Sequence, residues 1–278
     1  MNIIQALSEQ DLQFIKKEML NSAGIDLKDF KSPFLTRRVT ARMLAKGVRA
    51  GSEYAQLLAQ DPLEPLTLYN SLSINVTECF RDPSVWDVFT SDILPKMIKT
   101  ATTDKPIRIW SAGCATGQEP YSLAIMFKEA IGSSNVDFKI YATDMNKVSI
   151  NIAKTGKFDP KSLKNIPSVL LPKYVSKLDD ELYQIHKDLI KNIEFSVGDV
   201  ISKNMDSLDL IVCRNLLIYY GRPAQELLFK KFYHSLNEKG IVILGMDESM
   251  VGTEGINFFK ADYPRQRIFS KISGALQN

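Results

Sequence analysis

The residues with the most chemical content fall in the run IRIWSAGCATGQEPYSLAI (107–125) and at the end of DFKIYATD (137–144). A short apolar run stops at Gly113, a tight turn continues to Gly117, and a helix opens with Glu119 in its first turn. Glycine lets a backbone pass close to a ligand where a Cβ would collide. In nucleotide-type folds the ligand lies across the carboxyl ends of such strands. Asp144 closes the second strand, where its carboxylate could accept hydrogen bonds from both hydroxyls of a ribose, and the interval from Gly117 to Asp144 fits one βαβ unit. A dinucleotide fingerprint would read G-x-G-x-x-G. Here the pattern is G-x-x-x-G-x-E, and a carboxylate at the helix start disfavours a phosphate and favours a cation. S-adenosylmethionine carries an ammonium and a sulfonium and no phosphate, so it suits this turn. The plainer alternative makes Gly113 and Gly117 ordinary turn glycines and Glu119 a complement to the helix dipole. The register of strand, turn, acid and second acid favours the cofactor site.

Other chemistries have little to work with. His186 and His234 are the chain's two histidines and lie far apart, which argues against histidine triads and His-rich metal sites. Cys79, Cys114 and Cys213 are few, odd in number and without a C-x-x-C, so neither disulfides nor a structural zinc site is expected, and the chain reads as cytoplasmic. Cys114 and Cys213 are read as small apolar packing residues. Hydrophobic residues make up 45% and charged residues 24%, ordinary values for a globular protein. No stretch approaches the roughly 18 apolar residues of a membrane helix, and the opening MNIIQALSEQDLQF lacks the pattern of a secretory signal.

A net charge of +3 does not argue for nucleic acid, but its distribution is uneven. Residues 28–50 carry Lys28, Lys31, Arg37, Arg38, Arg42, Lys46 and Arg49 against the single acid Asp29. Such a run suits an acidic partner; it also suits a merely solvated helix face.

The elements that must position these residues follow from periodicity. The first 90 residues read as helical: 8–22 with Ser8 as N-cap and Leu12, Ile15, Met19 and Leu20 at helical spacing, 32–47 stopped by Gly47, 52–60, a helix opened by Pro62 and Pro65, and 84–99. From 106 strands and helices alternate: strands 107–112, 137–144, 208–215 and 241–246, helices 118–131, 146–155 and 222–237, and a hairpin over 258–272 turning at Tyr263-Pro264. That alternation predicts an α/β fold with a parallel sheet. Residues 156–200 interrupt it with short strands at 182–186 and 193–197 after a helix over 167–177, read as a small β insertion.

Four motifs, NVTECFRDP (75–83), SAGCATGQEPYSLAI (111–125), ATDMN (142–146) and CRNLLIYY (213–220), together with GIDL (24–27), resemble those of the CheR-type chemotaxis receptor methyltransferases in order and spacing. The resemblance runs from about residue 10 to 272. It implies an all-α N-terminal receptor-recognition domain (1–74), a linker carrying part of the cofactor site (75–100), and a Rossmann-like methyltransferase domain (101–278) with a small β-subdomain at about 156–198. It implies S-adenosyl-L-methionine as cofactor, S-adenosyl-L-homocysteine as product, and glutamate side chains on the cytoplasmic helical region of chemotaxis receptors as substrate. Residue by residue, Asn75, Thr77 and Arg81 match the linker contacts. Glu119 and Asp144 match the cofactor acids, with Met145 an apolar wall near adenine. Asp199 and Val200 match the adenine-side loop, and Arg214, Asn215 and Leu216 begin the loop beside the transferred methyl. Arg38 and Arg42, four apart on one face, align with the family's basic helix, Arg37 and Lys46 widen the stripe, and Arg37, Arg38 and Arg42 are expected to bind substrate.

Two features depart from the family pattern. The turn reads TGQEP where the family often has TGEEP, which places the acidic contact on Glu119. KYVSKLDDELYQI leaves little room for an extended loop in the β-subdomain, so tethering of a receptor C-terminal peptide is doubtful. The chemistry agrees with the resemblance. A carboxylate is already a nucleophile at neutral pH, so its methylation needs in-line positioning and desolvation rather than a general base. Arg81 is the expected electrostatic clamp, with a surface ion pair as its alternative. Tyr219 or Tyr220 is expected to position the substrate or wall the methyl path, with core packing as theirs. The segment CRNLLIYY lacks the prolines of the N-P-P-Y motif of amine methyltransferases, which argues against base or amide acceptors. A monomer is expected. The competing functions are a non-catalytic cofactor-binding receptor adaptor and, behind it, a nucleic-acid methyltransferase.

Overall fold

The computed structural model describes residues 5–73, 77–101 and 104–275. It divides into two compact units, Met1–Ile74 with Tyr219–Gln225, and Asn75–Ile218 with Glu226–Asn278.

The first unit contains four helices among its described residues: α1 (Glu9–Ala23), α2 (Ser32–Lys46), α3 (Gly51–Gln60) and α4 (Glu64–Leu72). Ser8 caps α1 in a reciprocal capping box with Asp11. Gly24 and Gly47 close α1 and α2 in the left-handed conformation that glycine adopts without strain. Leu12, Ile15 and Met19 of α1 pack with Leu35, Val39 and Met43 of α2 and with Tyr54, Leu58 and Leu68, all essentially inaccessible to solvent. Leu20, expected on the same apolar face, is half exposed. The segment 219–225 joins this unit through a bridge between Phe30 and Tyr220 and through hydrogen bonds from Lys31 N to Tyr219 O (2.9 Å) and Gly221 N to Asp29 O (2.7 Å).

The second unit opens with a helical run: α5 (Pro83–Val88), a π-helical turn at Phe89–Ile93, and α6 (Leu94–Thr100). Then come β1 (Ile107–Ala112), α7 (Gln118–Ile131), β2 (Phe138–Asp144), α8 (Lys147–Thr155), β3 (Lys157–Phe158), α9 (Pro160–Leu163), α10 (Leu171–Tyr174), β4 (Val175–Lys177), β5 (Tyr183–Ile185), α11 (Lys187–Ile190), β6 (Ile193–Val197) and β7 (Leu208–Cys213). Helix α12 (Arg222–Ser235), β8 (Leu236–Leu244), α13 (Gly255–Phe258), β9 (Phe259–Tyr263) and β10 (Ile268–Lys271) complete the chain.

The main sheet runs β6-β2-β1-β7-β8-β10-β9, parallel from β6 to β8 and antiparallel at β10 and β9. This is the predicted α/β architecture. Its parallel strands are buried continuous apolar runs, as strands covered on both faces must be: in β7, Leu208, Leu210, Ile211, Val212 and Cys213 have no exposed surface. The β7–β1–β2 pairing brings Cys213, Ala112 and Asp144 to the same carboxyl edge of the sheet.

The insertion folds as a separate antiparallel sheet, β3-β5-β4, but the strand expected in it at 193–197 is a correction: it forms β6, whose alternating buried Ile193 and Phe195 pair it in parallel with β2 in the main sheet. The helix expected over 167–177 shrinks to α10, because Pro172 stands in its first turn and β-branched Val175 instead pairs with Ile185. The helix expected to reach 237 ends at Ser235, where β8 begins.

Candidate active site

The glycine turn is built by hydrogen bonds from both sides. Gly113 N and Cys114 N donate to Thr143 O at 2.8 and 2.9 Å, and Gly117 N donates to Cys114 O at 2.9 Å. Ala115 N donates to Asp144 Oδ2 at 2.9 Å, and Asn146 N donates to Asp144 Oδ1 at 2.8 Å. Asp144 therefore organises the turn as well as facing the carboxyl edge. Gly117 has φ +101°, and a Cβ there would lie 2.9 Å from the Ala153 Cβ; the packing of α7 against α8 requires glycine. Asn146 caps α8, and Met145 is half-buried between the two.

Glu119 lies in the first turn of α7 and accepts a hydrogen bond from Ser111 Oγ at 2.7 Å. Burial pushes its carboxyl up to about 7; Arg214, Ser111 and Arg81 pull it down and Glu248 pushes it further up. A buried carboxyl raised this far is poised for a cationic ligand, which would favour its ionised form.

Arg214 follows β7 and is 6% exposed. Its Nη2 bonds Asp82, its guanidinium lies 5.0 Å from the centre of the Trp86 ring, and its buried Nε has no hydrogen-bond partner. Trp86 Nε1 in turn donates to Arg81 O at 2.8 Å, and Phe80 N donates to Ser122 Oγ at 2.9 Å, fastening the 77–82 segment to the unit. Phe80, Asp82, Ala115 and Asn215 all adopt positive φ (52°, 57°, 47° and 59°) without being glycine. Strain of this kind persists where surrounding structure over-determines it, as at binding sites. Thr77 and Arg81 line a cavity of about 1040 Å³ together with Gln118, Lys157 and Asp159. Asn75 lies outside the described residues.

The loop after β7 is held from behind by Glu248. Its carboxylate, 2% exposed, accepts from Gly245, Asn215, Leu216 and Leu217 amides at 2.6, 3.0, 2.7 and 2.6 Å. The loop after β6 is held likewise. Asp199 Oδ1 accepts from Ile201 N at 2.9 Å, Val200 is buried, and Lys231 of α12 donates its ammonium to the carbonyls of Val200, Ile201 and Lys203. Glu248 and Lys231 are not legible in the sequence, because each acts on backbone groups far away along the chain and belongs to no local pattern.

The structure thus gathers Gly113, Gly117, Glu119, Asp144, Arg214, Asn215 and Leu216 around one end of the sheet, fixed by shared hydrogen bonds. Tyr219 and Tyr220 belong to the first unit, where Tyr219 tilts against Phe34 (centroids 4.6 Å apart) and Tyr220 stacks on Phe30 (5.1 Å). Arg37 is exposed on α2, and Arg38 is half-buried with its guanidinium 5.5 Å from the Phe34 ring centre. Arg42 is a correction to the expected substrate-binding stripe. It donates to Glu64 through Nε (2.8 Å) and Nη2 (2.7 Å), and its carboxylate partner is 1% exposed. This guanidinium is committed inside the helical unit.

The donor set fits S-adenosylmethionine: a raised carboxyl for an ammonium, a second carboxylate at the strand end for a ribose, and an orphaned buried arginine nitrogen for an acceptor. Comparison with known proteins agrees. Residues 75–264 match the family model "CheR methyltransferase, SAM binding domain", and residues 10–73 match "CheR methyltransferase, all-alpha domain". The chain is 29% identical over 261 residues to a chemotaxis protein methyltransferase of Borreliella burgdorferi, covering 91% of this chain and 92% of that one. It is 29% identical over 245 residues to the protein of that name from Listeria innocua, covering 87% and 91%. It is also 29% identical over 251 residues to chemotaxis protein methyltransferase 2 of Vibrio cholerae, covering 88% and 87%. Among the described residues no helix is long and apolar enough to cross a membrane.

Proposed function

The chain belongs to the CheR methyltransferase family and uses S-adenosylmethionine, and from that premise we propose that it methylates glutamate side-chain carboxylates on the cytoplasmic helical region of chemotaxis receptors. The products are a glutamate methyl ester and S-adenosylhomocysteine. The observation that carries this reading is a site built from buried arginine and carboxylate groups, with both histidines employed elsewhere. His186 bonds Ser176 in the β-subdomain, and His234 packs edge-on to Tyr233. A nucleophile that must first lose a proton would need a base here; a carboxylate does not.

The bound cofactor supplies a methyl group on sulfonium, open to in-line attack by one carboxylate oxygen. Asp144 accepts from the ribose hydroxyls while its other lone pairs keep the turn closed. Met145, Asp199 and Val200 border the adenine. Glu119, ionised by the cofactor's ammonium, fixes the amino-acid end, Arg81 clamps the carboxylate, and Thr77 of the same segment contacts the cofactor or shapes its site. Arg214, Asn215 and Leu216 wall the methyl path. Helix α2 presents Arg37 and Arg38 to the anionic surface of the receptor helices, which makes the helical unit the reader of the substrate.

The test is transfer of labelled methyl groups to receptor cytoplasmic fragments. Label that is released by mild base, as an ester is, supports the reading. Absence of transfer, or a base-stable product, refutes it.

A further inference from the structure

Four backbone N–H groups converge on one buried side chain at the carboxyl edge of the sheet. Glu248 Oε2 accepts from Gly245 N (2.6 Å) and Asn215 N (3.0 Å), while Oε1 accepts from Leu216 N (2.7 Å) and Leu217 N (2.6 Å). Three of the four donors belong to consecutive residues, and the first of these, Asn215, holds φ 59°. Successive amides pointing inward around a left-handed residue form an anion-binding nest, and here the anion is part of the chain. A Cβ at Gly245 would lie 2.7 Å from both Asn215 N and Glu248 Oε2, so the strand end fits tightly against the loop.

The loop so held touches the glycine turn. A Cβ at Gly113 would lie 3.0 Å from Leu216 Cδ2 and 3.3 Å from Cδ1, which places the Leu216 side chain directly over the turn that follows β1. Two loops from neighbouring strands are thereby registered to each other: Glu248 fixes the Leu216 backbone, and the Leu216 side chain covers Gly113.

We infer that Glu248 is a positioning residue for cofactor binding, acting by holding the 215–217 amides so that Leu216 seats against Gly113. It rests on the reading of 214–216 as part of the cofactor site. Without the carboxylate, three consecutive amides lose their shared hydrogen bonds to it together, and the left-handed turn at Asn215 loses part of what over-determines it.

Glu248→Gln is the informative change. A carboxamide keeps one acceptor oxygen and turns an NH2 toward the other pair of N–H groups, so it preserves shape while leaving two donors unmet. In the full chain, calorimetric titration with S-adenosylmethionine is expected to show affinity weakened at least tenfold by Glu248→Gln. A similar loss is expected for Leu216→Ala, and the double variant should be no worse than the weaker single variant, since both act through one contact. Losses that multiply in the double variant overturn the inference. Unchanged affinity in Leu216→Ala removes the reading of the loop as cofactor-binding. Unchanged affinity in Glu248→Gln beside a weakened Leu216→Ala removes only the role of Glu248. If Glu248→Gln does not fold, hydrogen exchange in the unaltered protein decides: amides of Leu216 and Leu217 as protected as those of β7 support the inference, and exchange at exposed-loop rates overturns it.

Discussion

Glu64 grips Arg42 by two parallel hydrogen bonds within the helical unit, and Tyr54 Oη donates to the same carboxylate at 2.7 Å. Lys46 adds a third cationic or polar partner at 3.2 Å. Burial pushes the Glu64 carboxyl up, but Arg42, Tyr54 and Lys46 outweigh it and leave it below the ordinary value. Removing one member of a buried pair strands the other. Arg42→Ala is therefore expected to destabilise the protein by about 3 kcal/mol, measured by denaturant unfolding, with any loss of methylation recovered at low temperature where the unit stays folded. Because the folded carboxyl titrates below its unfolded value, this contribution is complete above about pH 4.5 and is lost as pH falls through the folded pKa. An unfolding free energy unaffected by Arg42→Ala would return Arg42 to the receptor-facing stripe.

Glu119 sets a pH dependence of opposite origin. Its carboxyl is raised by burial to about 7, so below neutrality the free site is mostly protonated and an ammonium can pair with it only after the proton leaves. Cofactor affinity is expected to fall as pH drops below 7, approaching tenfold per unit, with proton release seen as a dependence of the calorimetric heat on buffer ionisation enthalpy. Glu119→Gln should weaken binding at pH 8 and flatten the profile. The same raised pKa works against stability of the free protein as pH climbs from about 4.5 to 7, because the unfolded state ionises first. A flat affinity profile in the unaltered protein from pH 5.5 to 8 would contradict the pairing.

Asp144 holds the glycine turn and is proposed to bind the ribose, and its replacement should show both. Asp144→Ala removes the ribose acceptor, at a cost of about 1–3 kcal/mol in cofactor affinity. It also leaves the Ala115 and Asn146 amides without the acceptor they share in the structure, so the melting temperature should fall in the cofactor-free protein. Calorimetry on the folded variant separates the two effects. Unaltered affinity would show that the turn, and not the ribose, is what Asp144 serves.

The parts of this site legible in the sequence are those written in consecutive residues. Gly113, Gly117 and Glu119 fall at fixed offsets within one turn, and Asp144 ends the neighbouring strand, so strand periodicity carries the carboxyl edge of the sheet directly. The helix boundaries at Ser8 and Gly47 are likewise local chemistry. What could not be read is long-range. Glu64 is 22 residues from Arg42, and nothing in the basic run of α2 shows that one of its arginines turns inward while Arg37 stays exposed. Glu248 binds amides 31 to 33 residues away, and Lys231 caps carbonyls 28 to 31 residues away. The helix expected over 167–177 failed for a reason visible in retrospect: Pro172 and Val175 contradict it locally, but the pairing of Val175 with Ile185 decides it.

With Arg42 engaged by Glu64, Arg37 and Arg38 are the residues of the basic helix proposed to read the substrate. Arg37 is exposed, and Arg38 lies along Phe34 with its buried Nε lacking a hydrogen-bond partner. Burial holds the Arg38 guanidinium below its ordinary pKa, Arg37 lowers it further and Tyr219 raises it, yet arginine starts so high that it stays charged. Opposite fields on enzyme and receptor accelerate encounter and set register, and contacts at an interface rim act mainly on association. Salt should therefore depress receptor methylation while leaving cofactor affinity nearly unchanged. The double reversal Arg37→Glu with Arg38→Glu is expected to keep the fold and normal cofactor binding by calorimetry. It should lower kcat/KM for receptor fragments by tenfold or more, chiefly through KM. A variant that methylates normally, or an unaltered enzyme whose receptor methylation does not change between low and high salt, would place substrate recognition on another surface.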